Sequence, residues 1–274
     1  MTTGEMIRAA LKEDLPEGDR TTDNLGISEK MGRCRVLAKE DLVLSGKDLF
    51  TETVKSLNPD VQIRWHFEDG NVLLEGQTAA SIKGNLVPVL KAERVALNFL
   101  GHLSGIATLT RCFVKALGES KTILLDTRKT LPLYRKLEKQ AVKDGGGQNH
   151  RMSLSDAVMI KENHIRLAGS LTKAVKMLRE KETTPITLEC STIEEVKKAI
   201  ELQVDRILLD NMADETLKTC LEMIPRRIET EASGNMSLER VAKIADFGLT
   251  YISIGALTHS APCADFSLLF DWEG

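Results

Sequence analysis

The chain has 274 residues, enough for one large or two modest domains, and its 42% hydrophobic content excludes a globally disordered protein. Its net charge of −3 gives no overall attraction to nucleic acid or an anionic membrane, so any cationic site must be local. Five scattered cysteines, without a Cys-x-x-Cys pair, argue against a disulfide framework or a thiolate zinc site. No apolar signal region opens the chain and no apolar run reaches membrane-spanning length. We therefore expect a cytoplasmic protein with reduced thiols.

The first third of the chain predicts a β-rich domain. Apolar spacing predicts a helix over Met6–Leu15, and Glu17–Thr22 is typical of a loop with capping side chains. A second helix is expected over Asp48–Leu57. Short, partly alternating runs separated by Gly, Asn or Asp predict the strands, which are Arg33–Ala38, Val61–Phe67, Val72–Leu74 and Ala79–Ile82.

A long helical tract follows over Val87–Leu117, with Pro88 near its start, where proline is tolerated. Gly101 and Ser104-Gly105 interrupt the tract, so we expect two consecutive helices that bridge the two domains. Arg94 lies on the first of them. From spacing alone, a solvated side chain that pairs with a nearby acid is the favoured interpretation of Arg94.

The second half repeats one unit six times: a short apolar run, a polar segment, then an amphipathic helix. The runs are Thr122–Leu125, Ala157–Ile160, Ile186–Leu188, Arg206–Leu209, Ile228–Glu229 and Leu249–Ile254. This alternation predicts a parallel sheet, and six strands predict an open or incomplete barrel because a closed one has eight. Ser191 with Glu194 predicts a capping box. The tail, Ala261–Gly274, has no strand left to supply and should pack on the first domain.

Positive charges follow the first two of these strands. Parallel strands end on one face of a barrel, so Arg128, Lys129, Arg151 and Lys161 should lie near one another, with His150 a possible fifth. Like charges this close repel unless an anion joins them, and guanidinium and ammonium groups bind carboxylate and phosphate. Any one of these side chains could instead point to solvent, but the full set favours a multiply anionic ligand.

Two acids, Glu189 and Asp210, end the next two strands. The pair could act as general acid and base, hold sugar hydroxyls, or help to bind Mg²⁺, which is held largely through substrate phosphates. No paired-histidine motif is present, which favours Mg²⁺ over zinc.

Two glycine-containing segments end the last two strands: Ser233-Gly234-Asn235 and Ser253-Ile254-Gly255. Glycine lets backbone N–H groups approach an anion, and this position is the usual phosphate site of such barrels. The residues alone therefore predict a barrel enzyme that acts on a phosphorylated sugar together with a carboxylated partner.

Five motifs extend this interpretation: Ala92–Asn98, Asp126–Thr130, Gly145–Arg151, Met159–His164 and Glu231–Gly234. Together they closely resemble the quinolinate phosphoribosyltransferase family, decarboxylating enzymes that make nicotinate mononucleotide for NAD. The resemblance extends from Gly18 to Ser260, in order and at fitting intervals. It implies a type II phosphoribosyltransferase that uses quinolinate and phosphoribosyl pyrophosphate with Mg²⁺ and releases pyrophosphate and CO₂.

The resemblance also implies the fold and the assembly. An N-terminal α/β sandwich should span 1–104, joined by the tail 261–274, and an incomplete (β/α) barrel with the active site should span 105–260. The enzyme should be a homodimer or a higher homo-oligomer, with Arg94 entering the neighbouring subunit's site. That role replaces the solvated interpretation of Arg94.

Residue by residue, the resemblance implies a catalytic set of Lys129, Glu189 and Asp210, with the two acids near the ribose and the metal. The implied substrate-binding residues are Arg94, Thr127, Arg128, Lys129, His150, Arg151, Lys161, Glu189, Asp210, Ser233, Gly234, Asn235, Ser253, Ile254 and Gly255.

The chain departs from the family pattern at Gly101-His102, Leu131–Tyr134, Gln140 and Asn235, and none of these changes removes a matched charge. Asn235 stands where a second glycine is common and could reshape the phosphate loop. Two alternatives remain open: an aldolase-like barrel with Lys161 as a Schiff base, and a non-catalytic anion-binding relative associated with molybdate transport.

Overall fold

The computed structural model describes residues 2–271, and these form two compact units. The first unit comprises residues 2–111, 131–146 and 260–271, and the second comprises 112–130 and 147–259. The helices are α1 Thr3–Asp14, α2 Arg20–Asn24, α3 Lys47–Leu57, α4 Leu86–Ala116, α5 Arg135–Asp144, α6 Glu162–Ala168, α7 Leu171–Arg179, α8 Ile193–Glu201, α9 Asp214–Met223, α10 Leu238–Ile244 and α11 Ala256–His259, with a 3-10 turn at Ala245–Phe247. The strands are β1 Met31–Ala38, β2 Leu42–Val43, β3 Gln62–Trp65, β4 Val72–Leu73, β5 Thr78–Asn85, β6 Ile123–Leu125, β7 Val158–Ile160, β8 Ile186–Cys190, β9 Arg206–Asp210, β10 Glu229–Ser233, β11 Tyr251–Ser253 and β12 Phe266–Asp271. Among the described residues, no helix is long and apolar enough to cross a membrane.

A four-stranded antiparallel sheet, in the order β12-β1-β5-β3, forms the centre of the first unit. Apolar side chains of the sheet and of α3 and α4 form one core, in which Val36, Phe50 and Leu100 are fully buried. The predicted α/β sandwich is therefore confirmed.

The tail of the chain supplies an additional strand, so the expectation that no strand was left in it was wrong. β12 pairs antiparallel with β1, from Arg33 opposite Asp271 to Ala38 opposite Phe266. The tail has alternating buried positions, but its strand completes the sheet of the first unit and not the parallel sheet.

The long helical tract is one helix, α4, and not the two helices that its glycines predicted. The glycines have a packing role. A Cβ atom on Gly105 would overlap the carbonyl oxygen of Pro262, and one on Gly101 would lie 2.8 Å from the carbonyl oxygen of Ala264. The backbone N–H of Ala264 donates to the carbonyl oxygen of Gly101 at 2.9 Å. The helix therefore keeps glycine at these positions because the backbone of the tail passes directly over them.

Six parallel strands form the sheet of the second unit, in the order β6-β11-β10-β9-β8-β7. This confirms both the number of strands and the open arrangement, since β6 and β7 are the two ends of the ladder. A single parallel bridge from Leu125 to Gln148 extends the free side of β6 and fixes the segment that leads to His150 and Arg151.

Two local predictions in the second half were wrong. The capping box of α8 is formed by Thr192 and Glu195, one residue later than the predicted pair, because β8 continues to Cys190 before the chain turns. Leu133, whose spacing with Leu137 and Ala141 predicts a place on the apolar face of the first helix of the repeat, instead precedes α5 with a φ of 68° and is 71% exposed. The short helices α6 and α11 carry no long apolar stripe that could have predicted them.

Candidate active site

One cavity of about 630 Å³ opens at the carboxyl ends of the parallel strands, within the second unit. It is lined by all the predicted site residues of the second half, which are Thr127, Arg128, Lys129, His150, Arg151, Lys161, Glu189, Asp210, Ser233, Gly234, Asn235, Ser253, Ile254 and Gly255. The structure thus brings together side chains as far apart in sequence as Thr127 and Gly255, because every strand runs in the same direction.

Arg94 does not line this cavity. It lies on α4 in the first unit, and its side chain is exposed. Burial raises the pKa of the neighbouring Glu93 more than the charge of Arg94 lowers it. The proposed entry of Arg94 into a neighbouring subunit remains a prediction.

Cationic side chains line the cavity, and Arg128 and Arg151 among them influence each other. Arg151 is held by a hydrogen bond from its Nη1 to the carbonyl oxygen of Ala157 at 2.8 Å. Burial, and then the charge of Arg128, lower the pKa of Arg151. The two guanidinium groups are therefore close enough to repel each other, as expected for a site that binds an anion.

The two acids lie on the adjacent strands. Glu189 forms an ion pair with Lys161, which stands at the end of β7. Asp210 ends β9 and accepts a hydrogen bond from Nδ2 of Asn211 at 2.8 Å. No group of three or more His, Cys, Asp or Glu side chains within residues 2–271 is arranged to hold a metal ion. Two acids fit a metal that takes most of its ligands from a bound substrate.

The loop after β10 is shaped by two residues with positive φ. Gly234 has a φ of 93°, and a Cβ atom there would overlap the side chain of Asn211. Asn235 has a φ of 49°, and its Nδ2 donates to Oδ1 of Asn211 at 3.0 Å. Asparagine tolerates this left-handed backbone better than most residues, which explains how it occupies a position where glycine was expected.

Arg240 forms a hydrogen bond to the backbone of this loop. Its Nη1 donates to the carbonyl oxygen of Gly234 at 2.8 Å, and its Nη2 donates to that of Met212 at 2.5 Å. Its Nε donates to Oδ1 of Asp214 at 3.0 Å. The guanidinium group of Arg240 therefore connects the loop at Gly234 to the segment at Met212 and Asp214.

The second loop, after β11, lies against Lys129. The backbone N–H of Ile254 donates to the carbonyl oxygen of Leu125 at 2.9 Å, which continues the pairing of β11 with β6. A Cβ atom on Gly255 would lie 3.0 Å from Cδ of Lys129 and 3.2 Å from Nε2 of His259. Glycine at this position gives the Lys129 side chain room to enter the cavity.

Sequence analysis missed several residues of the lining, which are Met159, Leu208, Asn211, Glu231, Met236, Ala256 and His259. Glu231 could have been found by the two-residue period of a strand, because it shares a face with Ser233. Its side chain is fully buried, and burial raises its pKa. Interactions with His150, Ser253 and Arg206 outweigh that effect and lower the pKa overall.

Comparison with known proteins identifies two family domains in the chain. Residues 19–104 match the N-terminal domain of quinolinate phosphoribosyl transferase, and residues 106–269 match its C-terminal domain. A protein of Synechocystis sp. that is named a probable carboxylating nicotinate-nucleotide pyrophosphorylase is 41% identical, over 94% of this chain and 89% of its own length.

Solved structures agree with that result. The nicotinate-nucleotide pyrophosphorylase of Ehrlichia chaffeensis superposes with a TM-score of 0.94 at 36% identity, covering 99% of both chains. The enzyme of the same name from Francisella tularensis gives a TM-score of 0.93 at 35% identity, covering 98% of this chain and 96% of that one.

Proposed function

The chain belongs to the quinolinate phosphoribosyltransferase family, and we propose that its cavity is the site where quinolinate and phosphoribosyl pyrophosphate react. The enzyme converts these substrates to nicotinate mononucleotide, pyrophosphate and CO₂, a step of de novo NAD biosynthesis. One observation carries the assignment of the site: the cations, the two acids and the two strand-end loops line the same cavity.

Lys161 pairs with Glu189 and its side chain is 46% exposed, which does not favour a desolvated Schiff-base lysine. The family match does not favour the molybdate-associated alternative.

The cationic side of the cavity suits the two carboxylates of quinolinate. Arg128 and Arg151 repel each other in the free protein, and a dianion between them removes that repulsion. Lys161, the Thr127 side chain and the imidazole of His150 also line the cavity. These residues bind the ring and orient its nitrogen toward the sugar.

The opposite side suits phosphoribosyl pyrophosphate. The 5′-phosphate binds between the loop Ser233–Asn235 and the loop Ser253–Gly255, where backbone N–H groups are available. Glu189 and Asp210 bind ribose hydroxyls between the two sides. Lys129 lies beside the second loop and places a cation near the phosphate groups.

The reaction proceeds through an oxocarbenium-like state, as the pyridine nitrogen attacks the anomeric carbon and pyrophosphate departs. Glu189 and Asp210 stabilise the positive charge that develops on the ribose, and Lys129 stabilises the negative charge on the leaving group. The quaternised ring then loses its adjacent carboxylate as CO₂, and the electron pair left on that ring carbon takes up a proton. No covalent nucleophile is required. Mg²⁺, bound mainly by substrate phosphates with support from Glu189 and Asp210, would neutralise part of the pyrophosphate charge.

The function is tested by incubating the protein with phosphoribosyl pyrophosphate, Mg²⁺ and quinolinate that carries an isotopic label in its 2-carboxylate. Labelled CO₂, nicotinate mononucleotide and pyrophosphate should form in equal amounts. Nicotinate in place of quinolinate serves as the control acceptor, because it lacks the second carboxylate. Absence of all three products with quinolinate would reject the assignment.

Arg240→Met should weaken binding of phosphoribosyl pyrophosphate about tenfold, because the loop at Gly234 loses the donors that fix it. Lys243→Ala is the matched control. Lys243 also pairs with Asp214, at 2.7 Å, but is not among the residues of the cavity. Isothermal titration of each variant measures the effect, and equal losses in both would show that the pairing with Asp214, and not the loop, matters.

Assembly and location follow from the family resemblance as further proposals. The exposed position of Arg94 on α4 leaves it accessible to a second copy of the chain, and we propose a homodimer in which it enters the neighbouring cavity. Three of the free cysteines, Cys34, Cys190 and Cys220, are buried as thiols, which supports a reducing, cytoplasmic location.

A further inference from the structure

Glu231 is a buried acid on a strand of the parallel sheet that the mechanism above does not use. It lies on β10, two residues before the phosphate loop, and its side chain is fully buried although it lines the cavity. A buried carboxylate without compensation is costly, so its neighbours must explain its presence.

The two carboxylate oxygens of Glu231 contact different residues. Oε2 accepts a hydrogen bond from Nη1 of Arg206 at 3.3 Å, and Arg206 also binds Glu229 at 2.7 Å and lies 4.0 Å from the ring centre of Tyr251. Oε1 lies 3.4 Å from Nε2 of His150 and makes no hydrogen bond of standard geometry within residues 2–271. Such contacts in a free enzyme commonly shorten when the substrate binds.

The other ring nitrogen of His150 is already engaged. The backbone N–H of Arg151 donates to Nδ1 at 2.7 Å, so Nδ1 acts as the acceptor. In a neutral ring the proton then resides on Nε2, which is the nitrogen that faces Glu231. The backbone N–H of His150 donates to Oδ1 of Asp126 at 2.9 Å, which fixes the base of the side chain.

We propose that Glu231 is a positioning residue that holds the proton of His150 on Nε2 and thereby fixes the imidazole and the adjacent Arg151 at the quinolinate site. This inference rests on the proposed function, because it takes quinolinate as the ligand of Arg151 and of the cavity that both residues line. Arg206 holds the carboxylate of Glu231 on one side. On the other side the carboxylate contacts His150, whose imidazole lines the cavity. Arg151 follows in sequence, so the same contact also fixes the backbone that carries the guanidinium group.

Glu231→Gln tests this role with almost no change of shape. An amide has only one accepting oxygen, and both oxygens of Glu231 face N–H donors. In either orientation, the NH₂ group of the glutamine therefore faces an N–H donor, which belongs either to Arg206 or to His150. Glu229→Gln is the matched control, because Glu229 is on the same strand and shares Arg206 but is not part of the cavity lining.

Two readouts separate positioning from a general structural role. In ¹⁵N NMR of the ring nitrogens, assigned with His150→Asn, wild-type His150 should show the Nε2–H form, and Glu231→Gln should shift that pattern while Glu229→Gln should not. Quinolinate affinity, measured by titration calorimetry, should fall about tenfold in Glu231→Gln and stay unchanged in Glu229→Gln. In a His150→Asn background the second substitution should add little.

The proposal is overturned if wild-type His150 carries its proton on Nδ1, a result that needs no variant to fold. It is equally overturned if Glu231→Gln and Glu229→Gln behave alike, or if the losses from Glu231→Gln and His150→Asn simply add. The NMR readout needs no turnover, so failure of wild-type protein to bind quinolinate would reject the proposed function separately.

Discussion

An Asp210→Asn enzyme is expected to have a kcat roughly 100- to 1,000-fold below that of the wild type, the usual cost of removing one preorganised electrostatic group. Asp210 ends β9 inside the cavity, where its carboxylate faces the developing positive charge of the ribose in the proposed mechanism. Asparagine keeps the shape and the contact with Asn211 but removes the charge. The KM for quinolinate should change little, because the cations that bind that substrate are intact.

Asp205→Asn is the control for this prediction. Asp205 directly precedes the same strand at its other end, where its Oδ2 accepts hydrogen bonds from Arg179 and from the backbone N–H of Ile186, both at 2.8 Å. In parallel α/β folds the carboxyl ends of strands carry catalysis and the amino ends carry stability. Asp205→Asn should therefore lower the melting temperature and leave kcat unchanged. Asp210→Asn should lower kcat and leave the melting temperature unchanged. A kcat within a few-fold of wild type in Asp210→Asn would contradict the role given to this acid.

Arg128→Ala is expected to weaken quinolinate binding by about 1.5–3 kcal/mol, or roughly 10- to 150-fold, for each charge-assisted hydrogen bond that is lost. The guanidinium group lines the cavity beside Arg151, whose pKa is lowered first by burial and then by the charge of Arg128. Isothermal titration with quinolinate measures the loss directly.

The same substitution should reduce the stabilisation that quinolinate gives to the folded protein, because the ligand loses one of its cationic partners. Melting curves should therefore show a smaller upward shift of the midpoint when quinolinate is added. Arg227→Ala, at an exposed arginine that is not part of the cavity lining, is the control and should alter neither the quinolinate affinity nor this shift. Wild-type affinity in Arg128→Ala would refute the role of this residue.

The architecture of the second unit could be read from the sequence because its signals are local. Each strand is a short apolar run followed by a polar segment, and a common strand direction is enough to bring Arg128, Lys161 and Asp210 to one face. The number of strands followed from counting these runs. What each side chain binds required the family resemblance, since spacing alone left several uses open for the acids.

The errors arose where distant parts of the chain decide local structure. Gly101 and Gly105 are normally helix-weakening, but the tail at Pro262 and Ala264 passes against them, a contact that sequence spacing does not reveal. β12 completes a sheet whose other strands lie more than 180 positions earlier, as the pairing of Ala38 with Phe266 shows. Glu231 was overlooked because an acid in a strand usually faces solvent, and only the barrel interior shows its partners.

The most direct test of the account is a crystal structure with quinolinate and a non-reactive analogue of phosphoribosyl pyrophosphate bound together. Both ligands should occupy the one cavity, with the carboxylates of quinolinate on Arg128 and Arg151 and the 5′-phosphate between Gly234 and Gly255. Quinolinate bound elsewhere on the chain, or a phosphate group among the cations and a carboxylate in the loops, would contradict it.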